Sequence, residues 1–277
     1  MIFLTIKIAL DAGHGSDTYE KTGGRGIKFD GGTFEEHEFN ATVVKYAQQF
    51  LESNGFEVLL TQPLFDREVP LIDRTNLANK EKVDLLISIH ANAGVPNANG
   101  ACAFYWHNSN KGRRLAKIWA NKMKESPVEL HGTGIHASKP NSWSDFHMLR
   151  ETNMTAILCE HGFFTNHHNV KYILSDEFRR TCALILAESL CEFFNITIKK
   201  TKVSITKKQV QLPSIQRKVN GLLNGESIVI DSYLINNVTY VPLRFLTEAF
   251  GTKLEWDQSK FQYNIIQISL SRNHSKW

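Results

Sequence analysis

The stretch Phe3–Gly15, FLTIKIALDAGHG, decides how the rest of the sequence is interpreted. Its first ten residues are mostly apolar or β-branched, as in a buried strand, and the glycines on either side of His14 end that strand in a turn. In open α/β sheets, ligands bind outside the carboxyl ends of the strands. A histidine at this position is therefore a candidate for a binding or catalytic role.

Strand and helix patterns alternate from this stretch to residue 194. Helical spacing of apolar residues predicts a helix over Glu38–Asn54. The other predicted elements are the strands Phe56–Thr61, Asp84–His90, Ala101–Trp106 and Ala156–Glu160, and the helices Leu71–Lys82, Lys111–Glu125 and Asp176–Phe194. This alternation predicts an α/β fold with a mainly parallel twisted sheet and helices on both faces. We interpret two long polar segments, Gly15–Gly32 and Ser126–Leu149, as irregular loops.

The composition is that of an ordinary globular chain of 277 residues, with 42% hydrophobic and 22% charged residues and a net charge of +4. Seven basic residues and no acidic one fall in 197–218, so the excess charge belongs to a linker and does not indicate a nucleic-acid-binding surface. We therefore predict a large domain over 1–196, a basic linker over 197–218 and a small α+β module over 219–277. No apolar run is long enough for membrane insertion. The four cysteines have apolar neighbours and no Cys-x-x-Cys pair, which indicates buried reduced thiols.

Chemically active side chains recur at the predicted strand ends. His14 follows the first strand, His90 closes a later one and Glu160 closes a third. Between the two histidines, a helical stretch opens with the cluster Glu35-Glu36-His37-Glu38. Two histidines and one carboxylate with an open fourth position are the usual ligands of a catalytic zinc ion. A further carboxylate fits the acid/base residue of a zinc hydrolase.

The residues alone do not select the ligand carboxylate. The segment Thr33–Glu36 has the pattern of a capping box, in which Glu36 hydrogen-bonds a backbone N–H instead of a metal ion. All of Glu35, Glu36, His37 and Glu38 are chemically able to bind metal. The choice among them stays open at this point.

Five segments resemble those of the zinc-dependent N-acetylmuramoyl-L-alanine amidases of the amidase 3 type. They are Leu-Asp-Ala-Gly-His-Gly (10–15), Glu-His-Glu-Phe-Asn (36–40), Asp-Arg-Thr-Asn-Leu-Ala-Asn (73–79), Ser-Ile-His-Ala-Asn-Ala (88–93) and Leu-Cys-Glu-His-Gly-Phe-Phe-Thr-Asn (158–166). The resemblance implies that His14, Glu36 and His90 bind Zn2+ and that Glu160 is the catalytic glutamate. It also implies hydrolysis of the amide bond between N-acetylmuramic acid and the L-alanine of the peptidoglycan stem peptide.

The chain departs from the family pattern at His161. Members usually have leucine or serine between the catalytic glutamate and the following glycine, where this chain has histidine. A contact with substrate is one interpretation of His161, and its role stays open. For Arg74, we favour a structural role in bracing its own helix over a contact with an acidic substrate.

The C-terminal part is similar to a different module, which is named for the N-terminal domain of copper amine oxidases. The similarity rests on Val-Asn-Gly (219–221), on 239–251 with its Val-Pro-Leu-Arg run, and on Leu-Glu-Trp-Asp (254–257). It implies no copper, because His274 is the only histidine after His168. Cell-wall binding is one interpretation of the module, and passive stability or dimerisation is another.

The sequence therefore predicts a peptidoglycan-cleaving zinc amidase, either a phage endolysin or a bacterial autolysin. The alternatives are a zinc peptidase acting on stem peptides and an inactive cell-wall-binding protein. Peptidoglycan and anionic wall polymers are the expected partners, with no nucleic acid and no membrane insertion. Host, stem-peptide specificity and oligomeric state are not predicted. The N-terminus lacks the features of a signal peptide, so either the chain is made without one or a leader has been removed. We expect synthesis in the cytoplasm and action on the cell wall after release by another route.

Overall fold

The computed structural model describes residues 5–29 and 32–198, and five further segments, 217–223, 226–235, 238–240, 252–257 and 262–267. The chain divides into two compact units, Met1–Thr201 and Lys202–Trp277. Among the described residues, none of the helices combines the length and the apolar character needed to cross a membrane.

The first unit alternates strands and helices along the chain. Its strands are β1 Lys7–Ala12, β2 Gly26–Phe29, β3 Gly32–Glu35, β4 Glu57–Leu60, β5 Leu85–Asn92, β6 Ala101–Trp106, β7 Leu130–Ser138 and β8 Thr155–Phe163. Its helices are α1 Thr18–Thr22, α2 Glu36–Ser53, α3 Leu71–Lys80, α4 Asn110–Met123, α5 His147–Arg150, α6 His167–Ile173 and α7 Asp176–Phe193. The nine elements predicted from residues 3–194 are all present, with ends that differ by a few residues.

Six of these strands form one sheet in the order β4-β1-β5-β8-β6-β7. The pairs from β4 to β8 are parallel, β8 and β6 are antiparallel, and β6 and β7 are parallel to each other. The prediction of a mainly parallel sheet is confirmed. Because β1, β5 and β8 are adjacent and run in the same direction, their carboxyl ends meet at one edge of the sheet.

Helices cover both faces of the sheet. On one face, α3 and α5 pack over a core of buried side chains that includes Ala9, Leu86 and Leu158. Side chains alternate between the two faces along a strand, so Ile8 and Ile87 point to the opposite face. There α7 packs between α2 and α4, which contact the central strands. Burial of apolar side chains on both faces stabilises the sheet.

Two predicted loops contain regular structure, and those predictions are wrong. Gly15–Gly32 holds α1, β2 and the first residue of β3, and Ser126–Leu149 holds β7 and most of α5. The edge strand β7 includes Gly132 and Gly134 and is mostly not fully buried, so it lacks the apolar pattern by which strands are recognised. Pairing with β6 stabilises it in the absence of that pattern.

The second unit contains five described strands. β9 Arg217–Leu223, β10 Glu226–Ile235 and β11 Val238–Tyr240 form one antiparallel sheet, and β12 Thr252–Asp257 pairs with β13 Gln262–Gln267 in another. Four of these strands lie within the module predicted over 219–277, and β9 begins two residues before it, at the end of the predicted linker. We interpret Leu243–Phe250 of the module as a helix from its sequence, and this segment and most of the predicted linker 197–218 lie outside the described residues.

Candidate metal centre

A tight turn after β1 presents His14 to the edge of the sheet. His14 has a left-handed backbone conformation, with φ of 62°, which is uncommon for a residue with a side chain. Gly13 is required for a different reason, since a Cβ atom added there would lie 2.1 Å from the ring of His90. Gln62 holds the turn from the side and donates a hydrogen bond to the His14 carbonyl at 2.6 Å. The turn is therefore built around the close approach of two histidines.

Glu36 is the first residue of α2, and the β2–β3 hairpin leads directly into it. Its backbone N–H donates to the carbonyl of Arg25 at 2.8 Å. A capping box would require Thr33 at the N-cap and Glu36 three residues later. In the structure Glu35 is the N-cap residue and Glu36 is the first residue of the helix. The capping-box interpretation is therefore wrong. The carboxylate of Glu36 instead faces the two histidines and accepts a hydrogen bond from the Asn40 side chain at 3.3 Å.

His14, Glu36 and His90 converge on one point. Glu36 Oε2 lies 3.3 Å from His14 Nε2, and Glu36 Oε1 lies 2.9 Å from His90 Nδ1. The three residues each offer one ligand atom, and these three atoms all lie within 4.8 Å of one another. Burial alone would raise the pKa of Glu36, but the adjacent His14 and His90 hold it well below its usual range. An ionised carboxylate with two imidazole nitrogens is a donor set that fits Zn2+.

Two other members of the Glu35–Glu38 cluster, His37 and Glu38, have different surroundings. Glu38 pairs with Arg179 of α7 at 2.9 Å. His37 points inward, and its Nδ1–H donates to the Gly13 carbonyl at 2.9 Å. Of the four open candidates, only Glu36 lies with His14 and His90 in the group that could hold a metal ion. We call these three residues the metal group.

Glu160 lies beside this group. It is paired with His90 in the register of β5 and β8, so both residues stand at the same level of the sheet. Its side chain is buried, and among the described residues Oε2 has no hydrogen-bond partner. Burial and the negative charge of Glu36 raise the pKa of Glu160 well above its usual range. A buried carboxyl group with an unpaired oxygen is suited to exchanging a proton with a bound molecule.

A cavity of about 210 Å3 joins these four side chains. Its wall also includes Arg25 and Glu68, together with Phe146 and His147 from the segment Ser126–Leu149 that the sequence predicts as a loop. Arg74 contributes to the wall, but its guanidinium is fully buried and is paired with Asp11 at 3.3 Å and Glu68 at 3.1 Å. The structure agrees with the bracing role predicted for Arg74.

His161 lies outside this cavity. It is fully buried between Phe39 and Trp119, whose ring centroids are 5.7 and 5.4 Å away. Its Nδ1–H donates to the carbonyl of His90 at 3.1 Å, and burial lowers the pKa of its imidazole to about 4. The interpretation of His161 as a substrate contact is therefore wrong. His161 supports the backbone of His90, and His37 supports that of Gly13 next to His14, roles that the sequence did not indicate.

All four cysteines are free and buried, as predicted. The thiols of Cys102 and Cys159 stand on the paired strands β6 and β8, and burial raises the pKa of both. They contribute to packing and carry no reactive thiolate at neutral pH.

Several known proteins are similar to this chain. The chain is 28% identical over 218 residues to the N-acetylmuramoyl-L-alanine amidase CwlM of Bacillus licheniformis, which covers 78% of each chain. It is 30% identical over 207 residues to the endolysin of Bacillus phage SPP1, covering 72% of this chain and 70% of the endolysin. The catalytic domain of the amidase CwlV from Bacillus (Paenibacillus) polymyxa has a similar structure, with a TM-score of 0.58 and 25% identity over 70% of this chain and all of that domain.

Two family descriptions match different parts of the chain. Residues 185–265 match the copper amine oxidase N-terminal domain, in agreement with the similarity seen in the sequence. Residues 8–192 match the Amidase_3 family and include His14, Glu36, His90 and Glu160. This second match spans more than half of the sequence. The chain belongs to the Amidase_3 family of N-acetylmuramoyl-L-alanine amidases.

Proposed function

We propose that this chain is a Zn2+-dependent hydrolase that cleaves the amide bond between N-acetylmuramic acid and the L-alanine of the stem peptide in peptidoglycan. One observation carries the proposal. The ligand atoms of His14, Glu36 and His90 lie within 4.8 Å of one another, beside the buried carboxyl group of Glu160, in a member of the amidase family.

His14, Glu36 and His90 would hold the metal ion through two nitrogens and a carboxylate. A zinc ion held there would supply Lewis acidity, which would activate a water molecule near neutral pH and polarise the scissile carbonyl. The side chains of the cavity then have to orient the amide and exclude other water molecules from it.

Glu160 is the proposed general base and general acid. Its carboxylate accepts a proton from the attacking water as the new C–O bond forms at the amide carbon. The same carboxyl group then gives that proton to the amide nitrogen as the C–N bond breaks, so the products are a lactyl carboxylate and a free L-alanine amine. A carboxyl group whose pKa is raised toward the working pH is well suited to this double transfer.

The experiment is digestion of purified Gram-positive cell walls by the Zn2+-loaded protein. We expect release of L-alanine amino termini without new reducing sugars, and loss of this release after EDTA treatment. Intact muropeptides discriminate between the amidase and a zinc peptidase, because an amidase separates the whole stem from the sugar whereas a peptidase leaves L-alanine on it. New reducing sugars without L-alanine ends would contradict the proposal.

We further propose that the second unit and the basic segment 197–218 help the protein to bind the wall. The seven positive charges of that segment and its lack of acidic residues favour contact with anionic wall polymers. The test is cosedimentation of the full chain with walls at increasing salt, since screening weakens such binding. Binding that is independent of salt would exclude the electrostatic contribution. We also propose that the protein is made in the cytoplasm and acts on the wall after release.

A further inference from the structure

A buried relay of hydrogen bonds leads from His90 through Ser88 to Asp11, in the core of the sheet. His90 Nε2 lies 3.1 Å from Ser88 Oγ, and Ser88 Oγ lies 2.6 Å from Asp11 Oδ2. Ser88 and Asp11 are fully buried, and they are register partners on the adjacent strands β5 and β1. Their contact is therefore fixed by the pairing of two central strands and needs no flexible loop.

The direction of these hydrogen bonds follows from the protons available. The Asp11 carboxylate also accepts from Thr61 Oγ1 at 2.6 Å and from the Arg74 guanidinium at 3.3 Å. Burial alone would raise the pKa of Asp11, but Arg74 and the two hydroxyl groups hold it below its usual range, so Asp11 is an acceptor at neutral pH. Ser88 has a single hydroxyl proton, which it must donate to Asp11. Its oxygen is then an acceptor for a proton on His90 Nε2.

This assignment decides which nitrogen of His90 remains free. With the proton on Nε2, the lone pair of a neutral imidazole is on Nδ1. Nδ1 is the atom that lies 2.9 Å from Glu36 Oε1, on the side of the metal group. A nitrogen lone pair and a carboxylate oxygen at that distance repel each other unless a cation interacts with both, and a metal ion or a proton can serve.

We propose that Ser88 and Asp11 are positioning residues that keep His90 in the Nε2–H tautomer and direct Nδ1 to the metal ion. The inference rests on the metal centre of the proposed function and is independent of which bond the enzyme cleaves. Hydrogen-bond partners that orient a ligand histidine in this way typically contribute about 10–100-fold to metal affinity.

Ser88→Ala is the direct test, because it removes the acceptor for His90 and leaves Asp11 with Thr61 and Arg74. The measurements are zinc affinity, by competition with a chelator, and the 15N signals of the His90 ring in the zinc-loaded protein. We expect Ser88→Ala to weaken zinc binding by about 10–100-fold. In the wild type, the 15N signals should place the proton on Nε2 and the metal on Nδ1. Ser88→Thr, which keeps the hydroxyl group, should restore most of the affinity.

The matched control is Ser189→Ala in α7. Ser189 is also buried and loses a hydrogen bond on substitution, to the Ile185 carbonyl at 2.6 Å, but it does not contact the metal group. Its zinc affinity should equal that of the wild type. The control thereby separates loss of the relay from loss of any buried hydroxyl group.

Asp11→Asn gives an opposite arrangement of protons. If the amide oxygen keeps its bonds to Thr61 and Arg74, the amide NH2 faces Ser88 and donates to it. The Ser88 hydroxyl must then donate to His90 Nε2, which places the ring proton on Nδ1 and blocks the ligand atom. We expect a larger loss of zinc affinity than in Ser88→Ala, provided that the circular dichroism spectrum is unchanged.

The possible outcomes separate this inference from the proposed function. Unchanged zinc affinity in Ser88→Ala, or a His90 proton on Nδ1 in the zinc-loaded wild type, would overturn the relay and leave the metal centre intact. A wild-type chain that binds no zinc would overturn both. Loss of affinity in Ser88→Ala, recovery in Ser88→Thr and no change in Ser189→Ala would support the relay.

Discussion

Glu160→Gln should change activity and stability in opposite directions. The substitution keeps the shape of the side chain but removes its charge and its ability to accept a proton. In the Zn2+-loaded protein we expect the turnover number to fall by about 10²–10⁴-fold, the usual contribution of general acid–base catalysis. Zinc content should be unchanged, because Glu160 is not among the three residues whose ligand atoms converge.

In the metal-free protein the same substitution should stabilise the fold. Glu160 is 8% exposed, Oε2 lacks a partner among the described residues, and the charge of Glu36 is nearby. The amide of glutamine keeps the cost of an unpaired polar atom but removes the cost of ionising the buried carboxyl group. One pH unit between the ordinary pKa of 4.5 and the working pH is worth about 1.4 kcal/mol, so the gain at pH 7 should be about 1–3 kcal/mol. For a domain of this size, the melting temperature should rise by about 2–12 °C at pH 7.

The effect of pH gives a further check on the sign. A raised pKa means that the folded state binds more protons than the unfolded state above pH 4.5, the ordinary value for this carboxyl group. The stability of the wild type therefore falls as pH rises from that value through the pKa of the folded state. The difference between Glu160→Gln and the wild type should be small at pH 4 and largest above the pKa of the folded state.

The assay is thermal unfolding of EDTA-treated proteins, followed by circular dichroism at several pH values. Glu125→Gln is the control, because Glu125 is exposed just beyond α4 and the same chemical change there should leave the melting temperature unchanged. Equal or lower stability of Glu160→Gln at pH 7 would refute the reasoning about its buried charge. Full activity in this variant would refute its catalytic role.

Three further substitutions test other parts of the site. His90→Ala removes a ligand nitrogen, so zinc content measured by atomic emission should fall with activity, whereas retention of zinc would contradict its role. The positive charge of Arg25 lowers the pKa of Glu160. Arg25→Gln should therefore raise that pKa further and move the acidic limb of the pH–rate profile to higher pH. An unmoved limb would show that Arg25 has no such effect. Arg74→Met leaves Asp11 buried without its cation and should cost about 3–5 kcal/mol in denaturant unfolding, and a cost below about 1 kcal/mol would contradict the bracing role.

The sequence predicted the main sheet and the position of its functional edge for one physical reason. Apolar runs identify buried strands, and parallel neighbours bring their carboxyl ends together. His14, His90 and Glu160 follow such runs, so their convergence could be anticipated without knowledge of any side-chain position. Glu36 required the family resemblance, because a capping residue and a ligand at a helix start have the same local pattern.

The features that the sequence did not predict depend on contacts between distant segments. The edge strand β7 is held by pairing with β6 and has little apolar pattern of its own. The short helices α1, α5 and α6 have at most seven residues, too few for a clear period. His37 and His161 acquire their roles only because the fold places a backbone carbonyl within reach of each ring. No spacing along the chain contains that information.

X-ray absorption spectroscopy of the Zn2+-loaded protein tests the central claim most directly. The account predicts one zinc ion per chain, with two imidazole nitrogens at about 2.0–2.1 Å and carboxylate or water oxygens at about 2.0–2.2 Å. His14→Ala and Glu36→Gln should each change the spectrum or abolish zinc binding. A zinc ion with sulfur ligands, or a spectrum that neither substitution changes, would contradict the assignment of His14, Glu36 and His90 as the metal centre.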